Sequence, residues 1–174
     1  FQAPQANNGV SIDINNIPGV ERTLIFMQPS QGRATGNGGI TAITDINADG
    51  INDLAFGRYG EDNLNGAVDV LFGRESWPQF VDLNNIAAGT GFAVRPSQTL
   101  DDGNYHFLGI SLASGDLNGD GISDLAIGSP FSGTINLSQD DVAENKAYIL
   151  WGGRDDWPAI LYADQLSSDY GATI

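Results

Sequence analysis

The chain has 174 residues, with 22 Asp or Glu against 7 Lys or Arg, a formal net charge of −15, 23 Gly and no Cys. An acidic chain without a basic stripe repels polyphosphate and anionic lipid, which excludes nucleic acid as a partner and makes a cation the natural one. No run approaches the roughly 20 apolar residues that span a bilayer, so no membrane insertion is expected, and the lack of Cys removes thiol and disulfide chemistry.

The hydrophobic share of 41% is that of a folding chain rather than a solvating tail. Of the acidic residues 18 are Asp, and 15 Asn accompany them. Asp, Asn and Gly compete with or loosen helix interiors and favour turns, so the chain reads as β with elaborate turns. Residues 1–10 form an N-terminal tail with no basic or apolar leader segment, and a start at Phe1 reads as processed or excised.

The chain then repeats itself. IDINNIPG from Ile12 returns as VDLNNIAAG from Val81, ITAITDINADGINDLAFG from Ile40 as ISLASGDLNGDGISDLAIG from Ile110, and GAVDVLFGRESWP from Gly66 as KAYILWGGRDDWP from Lys146. These matches define a first repeat over 11–79, a second over 80–159 and the start of a third over 160–174, which closes the second blade. Added length falls in loops, most of it between Ser129 and Asn145.

In chain order, TLIFMQ at 23–28 is expected to be the last strand of a unit whose other strands are missing. The first unit has strands predicted at 40–44, 52–57, 66–72 and 91–95, and the second at 110–114, 122–128, 146–151 and 170–174, from short β-branched or alternating apolar runs bounded by Gly, Asn and Asp. No amphipathic helix of useful length is expected. Four strands per repeat imply an all-β solenoid or propeller.

Two segments carry chemistry. DINADGIND from Asp45 and DLNGDGISD from Asp116 share the pattern D-x-N-x-D-G-x-x-D. A hard divalent ion such as calcium takes about six to eight oxygens, and a tight loop presents alternate side chains and a backbone carbonyl to one centre. The expected ligands are Asp45, Asn47, Asp49, the carbonyl of Ile51 and Asp53 in the first loop, with Asp116, Asn118, Asp120, the carbonyl of Ile122 and Asp124 in the second. Two Ca²⁺ sites follow. Gly50 and Gly121 turn the chain. Position 12 holds Phe56 or Ile127 where an EF-hand requires Glu, so the ions would sit in β-hairpin turns. Asp and Asn also make such turns unaided, but three carboxylates in nine residues repel one another unless a cation or protons intervene.

With these motifs the chain resembles FG-GAP repeats, the units of the integrin alpha-subunit β-propeller. Phe107-Leu108-Gly109 stands near the FG element, Gly128-Ser129-Pro130 stands for GAP, and KAYILWG is the following strand. The first repeat has Gly38-Gly39 and Gly57-Arg58-Tyr59 at those places, and rests on its loop and on GAVDVLFG. The resemblance extends over about residues 11–174. It implies blades of four antiparallel strands, calcium in the hairpin between the first two, and a non-enzymatic role in adhesion or ligand recognition outside the cell or at its surface, with a periplasmic setting as the other choice. The ligand would be protein or glycan. The alternatives are a glycan-binding lectin, or the non-catalytic propeller part of an enzyme that cleaves polysaccharide or phospholipid. Known propellers need about four to eight blades, so two imply either a homo-oligomer or the remainder of a longer propeller.

Weaker signals have plainer explanations. His106, the single imidazole, is expected at a loop or strand edge, Lys146 in solvent, and the paired acids Glu61-Asp62, Asp101-Asp102, Asp140-Asp141 and Asp155-Asp156 in solvated loops. Trp77-Pro78 and Trp157-Pro158 recur at one repeat position, which argues for packing over a sugar platform. Asn136-Leu137-Ser138 is a glycosylation sequon.

Overall fold

A computed structural model describes residues 10–13, 24–27, 40–78, 80–97, 106–132 and 144–174. Its elements are almost all strands, in three sheets. The first unit is built on β3 (Ile40–Thr44), β4 (Asp53–Gly57), β5 (Val68–Leu71) and β7 (Gly91–Arg95), each antiparallel to the next. The second uses β8 (Ser111–Gly115), β9 (Asp124–Ser132), β10 (Glu144–Leu150) and β12 (Gly171–Thr173) in the same way. All eight coincide with the predicted strands to within a few residues. These are partial β-propeller blades in an all-β chain.

Three short strands, β1 (Val10–Asp13), β6 (Phe80–Asp82) and β11 (Ile160–Tyr162), have no counterpart in the strands predicted from the sequence. β6 and β11 each follow a Trp-Pro pair and add one parallel strand to the last strand of the preceding unit: β6 on β2 (Leu24–Met27), β11 on β7. Leu24–Met27, within the predicted strand at 23–28, therefore holds the position of a last strand. β1 completes that small sheet, antiparallel to β2. The five-stranded sheet runs β11-β7-β5-β4-β3 and the four-stranded one β12-β10-β9-β8. Among the described residues the helical content is one turn, α1 (Glu61–Leu64), and a 3-10 turn at Ala163–Gln165.

The core lies between the two main sheets. Ala55, Val68, Val70, Phe92 and Val94 of the first pack against Leu125, Ile127, Tyr148 and Leu150 of the second, with Ile46 and Leu108 filling in. Trp157 is stacked on Phe92, centroids 4.3 Å apart at 8°, so this recurring Trp packs the seam between units. A smaller cluster of Phe56, Leu71 and Leu83, with Trp77 against it, lies on the other side of the first sheet.

The third strands are offset by one residue from the best sequence match. Leu71 faces Leu54 and Leu150 faces Leu125, so Asp69 corresponds to Tyr148 rather than Ile149. The second repeat regains its register through an extra residue in the glycine turn before Arg154.

Candidate metal loops and a buried ion network

Both candidate loops join the first two strands of their sheet, and they fold alike. Asp45 accepts from the N–H of Asp49 at 3.0 Å and of Gly50 at 2.9 Å. Asp116 accepts from Gly119 at 2.7 Å, Asp120 at 3.1 Å and Gly121 at 2.9 Å. Asn47 and Asn118 each accept from the amide two residues on and donate to the next Asp side chain at 2.9 Å. Asp49 and Asp120 accept from Ile51 and Ile122 at 2.8 and 2.7 Å. Gly50 and Gly121 both stand at φ +86°, where a Cβ is disfavoured, which is why the sixth position is Gly.

The ninth residue does something different. Asp53 and Asp124 are fully buried beneath their loops. Asp53 accepts from Ile46 N–H at 2.8 Å and Gly73 N–H at 2.7 Å, and Asp124 from Leu117 at 2.8 Å and Gly152 at 2.9 Å. Each carboxylate thus ties its hairpin to the end of the third strand. Burial raises the Asp53 pKa above the usual carboxylate value, against the pull of the N–H donors from Gly73, Ile46 and Asn47.

The loops therefore bring the expected side chains into one turn each, but among the described residues no three His, Cys, Asp or Glu side chains surround a common point as a metal requires. The carboxylates face backbone N–H groups. In chemistry the donor set still suits a hard cation: hard oxygens, closely spaced, with Asp49 and Asp120 exposed at the tip.

A second cluster was missed by the sequence reading. Asp69, fully buried in β5, accepts from Arg58 Nε at 2.6 Å and from an Arg95 terminal nitrogen at 2.7 Å, and Arg58 also pairs with Glu61 at 2.7 Å. Glu61 was expected in a solvated loop; it is instead buried, because α1 folds it back onto Arg58. The available signal was Asp69 itself, a charge inside the apolar strand VDVL, since a buried carboxylate requires cationic partners.

His106, Ser129 and Asp164 border one crevice, too tight for a water molecule. Ser129 Oγ donates to the His106 main-chain carbonyl at 2.7 Å, not to the imidazole, so the hydroxyl is not arranged as a nucleophile. Asp164 accepts from Ser97 N–H at 2.7 Å and from the Ser97 hydroxyl. Partial burial works against its ionisation, but these bonds outweigh it and hold the carboxyl below the ordinary range. Of the adjacent acids, Asp155 and Asp156 are exposed as expected, whereas Asp101-Asp102 and Asp140-Asp141 lie outside the described residues.

Repeated four-stranded sheets with a D-x-N-x-D-G turn between the first two strands define the FG-GAP, integrin alpha-like class, and this chain is of that class. Residues 108–150 match the FG-GAP repeat family. Over 101 residues the chain is 39% identical to integrin alpha-3 of Cricetulus griseus, covering 55% of this chain and 8% of that protein. It is 34% identical over 125 residues to integrin alpha-PS5 of Drosophila melanogaster, covering 67% and 11%. Over 126 residues it is 35% identical to phosphatidylinositol-glycan-specific phospholipase D of Homo sapiens, covering 70% and 13%. The chain thus spans about a tenth of the length of these relatives. Among the described residues no helix is long and apolar enough to cross a membrane.

Proposed function

We propose that this chain is a calcium-binding extracellular β-propeller module for adhesion or ligand recognition, with Ca²⁺ structural and no catalysis of its own. The observation that carries the reading is the duplicated loop: two nine-residue turns with the same oxygen donors, closed by corresponding hydrogen bonds with one more, from Gly119, in the second, each at the same hairpin. Asp45, Asn47, Asp49, the Ile51 carbonyl and Asp53 would hold one ion; Asp116, Asn118, Asp120, the Ile122 carbonyl and Asp124 the other. An ion supplies there the positive charge that three carboxylates in one turn lack. Such loops fill only where calcium is plentiful, which supports an extracellular placement.

Isothermal titration of the metal-free chain with Ca²⁺ tests this. Two sites are expected, with one lost in Asp45→Ala and the other in Asp116→Ala. At millimolar Ca²⁺ and an extracellular-type affinity of about 10⁻⁴ M, each site stabilises the fold by roughly 1.4 kcal/mol. Absence of saturable heat up to about 10 mM Ca²⁺ would end the proposal.

The similarity to a phospholipase D favours a second reading, in which the chain is the non-catalytic propeller part of a lipid-cleaving enzyme. Turnover of a glycosylphosphatidylinositol substrate by this chain joined to such a catalytic domain, and not by the domain alone, would support it. Equal turnover by the domain alone would remove it.

A further inference from the structure

The two repeats also differ beside the Trp-Pro pair. In the second, Arg154 is enclosed: its guanidinium lies 3.7 Å from the Tyr170 ring centroid and 5.6 Å from that of Trp157, and its Nε donates to Asp156 at 2.8 Å. In the first, Arg74 lies over Trp77 at 5.0 Å in the same way, but Ser76 replaces Asp156 and Thr90 replaces Tyr170. Thr90 and Tyr170 are equivalent in the structure, since their carbonyls accept from Phe72 and Trp151 at the end of each third strand.

Each replacement leaves something open. Loss of the tyrosine ring leaves a cavity of about 150 Å³, walled by Arg74, Trp77, Pro78, Asn85 and Thr90, with Phe80 half exposed beside it. Loss of the aspartate leaves Arg74 Nε buried with no hydrogen-bond partner, although another guanidinium nitrogen reaches the Thr90 carbonyl at 3.2 Å. A buried charged donor without an acceptor is costly, and a carboxylate satisfies it best. Asp82 also lines the cavity, but its Oδ1 already accepts from the backbone and side-chain nitrogens of Asn84, at 2.9 and 3.1 Å, within its own turn.

We propose that this cavity binds a pyranose residue carrying a carboxylate, as in a hexuronate. The carboxylate takes the place of the absent Asp156 counterpart at Arg74 Nε, the apolar ring face lies on the Trp77-Pro78 wall where Tyr170 packs in the other repeat, and the hydroxyls meet Asn85 and Asp82. This deepens the ligand-recognition reading by naming a ligand class. None of the residues is a calcium ligand, so the two proposals fail separately.

The test is titration of the whole chain, in Ca²⁺, with glucuronate, following the Arg74 Nε–H and Trp77 indole N–H resonances by NMR. Saturable shifts are expected with a Kd on the order of 1 mM, as suits one sugar residue. Glucose and acetate should each bind at least tenfold more weakly. Ser76→Asp and Thr90→Tyr copy what the second repeat already carries, and each should raise the Kd at least tenfold. Ser76 is exposed, so its replacement leaves the packing alone. The proposal is overturned if glucuronate leaves both resonances unmoved, if acetate or glucose binds as well, or if Ser76→Asp binds like the parent chain.

Discussion

At the residue scale, the ninth loop position separates two roles. Asp124 is fully buried and its two oxygens receive N–H groups from Leu117 and Gly152, so it fastens the hairpin to the third strand. Asp124→Asn keeps the shape but turns an NH₂ towards one of those N–H donors. A hydrogen bond to a charged group is worth about 1.5–3 kcal/mol, so the variant should lose about 2 kcal/mol even in EDTA. Urea denaturation in EDTA measures this, and an unchanged midpoint would mean that the carboxylate serves the ion alone. The two turns were legible in the sequence, because the spacing of Asp, Asn and Gly that closes them is local. The sequence did not reveal that Asp53 and Asp124 serve the backbone as well, because Gly73 and Gly152 approach them only through sheet pairing.

At the scale of the element, β5 shows why a repeated strand need not repeat its chemistry. Asp69 stands where β10 has Tyr148, and Arg58, Glu61 and Arg95 gather around it. Removing one member of a buried ion cluster leaves the rest uncompensated, so Asp69→Ala should cost about 3–5 kcal/mol, more than the change in volume explains. A double-mutant cycle isolates the network: Asp69→Ala and Arg58→Ala should be strongly non-additive by denaturation, and additive costs would show that the network contributes nothing specific. The eight blade strands were legible because their apolar runs are bounded by Gly and Asp. β6 and β11 were not, since three residues such as FVD or ILY are too short to show a period, and their positions come from parallel pairing with a distant strand. Glu61 was misread for a similar reason: adjacent acids look solvated until α1 places one of them against Arg58.

For the molecule as a whole, the question is whether two repeats make one cooperative body or two. The seam between the sheets is apolar and continuous, and its centre is Phe92 from the first sheet stacked on Trp157, which follows the second sheet's third strand. Ser97, donating to Asp164, fastens the ends of β7 and β11 to each other beside that seam. Phe92 is fully buried, and Phe72 lies against it with centroids 5.9 Å apart, so truncation leaves a hole that neighbouring rings cannot fill without abandoning their own contacts. Large-to-small changes of this kind cost about 3–5 kcal/mol. If the seam holds the repeats together, Phe92→Ala should lower the whole unfolding transition by that amount, and indole fluorescence and far-ultraviolet circular dichroism should report the same midpoint. If the sheets are independent, fluorescence from the Trp157 region should shift while the dichroism of the remaining strands persists to higher denaturant. Coincident transitions would establish that the two sheets unfold as one body coupled across that seam, as in repeats where each unit buries its face on the next.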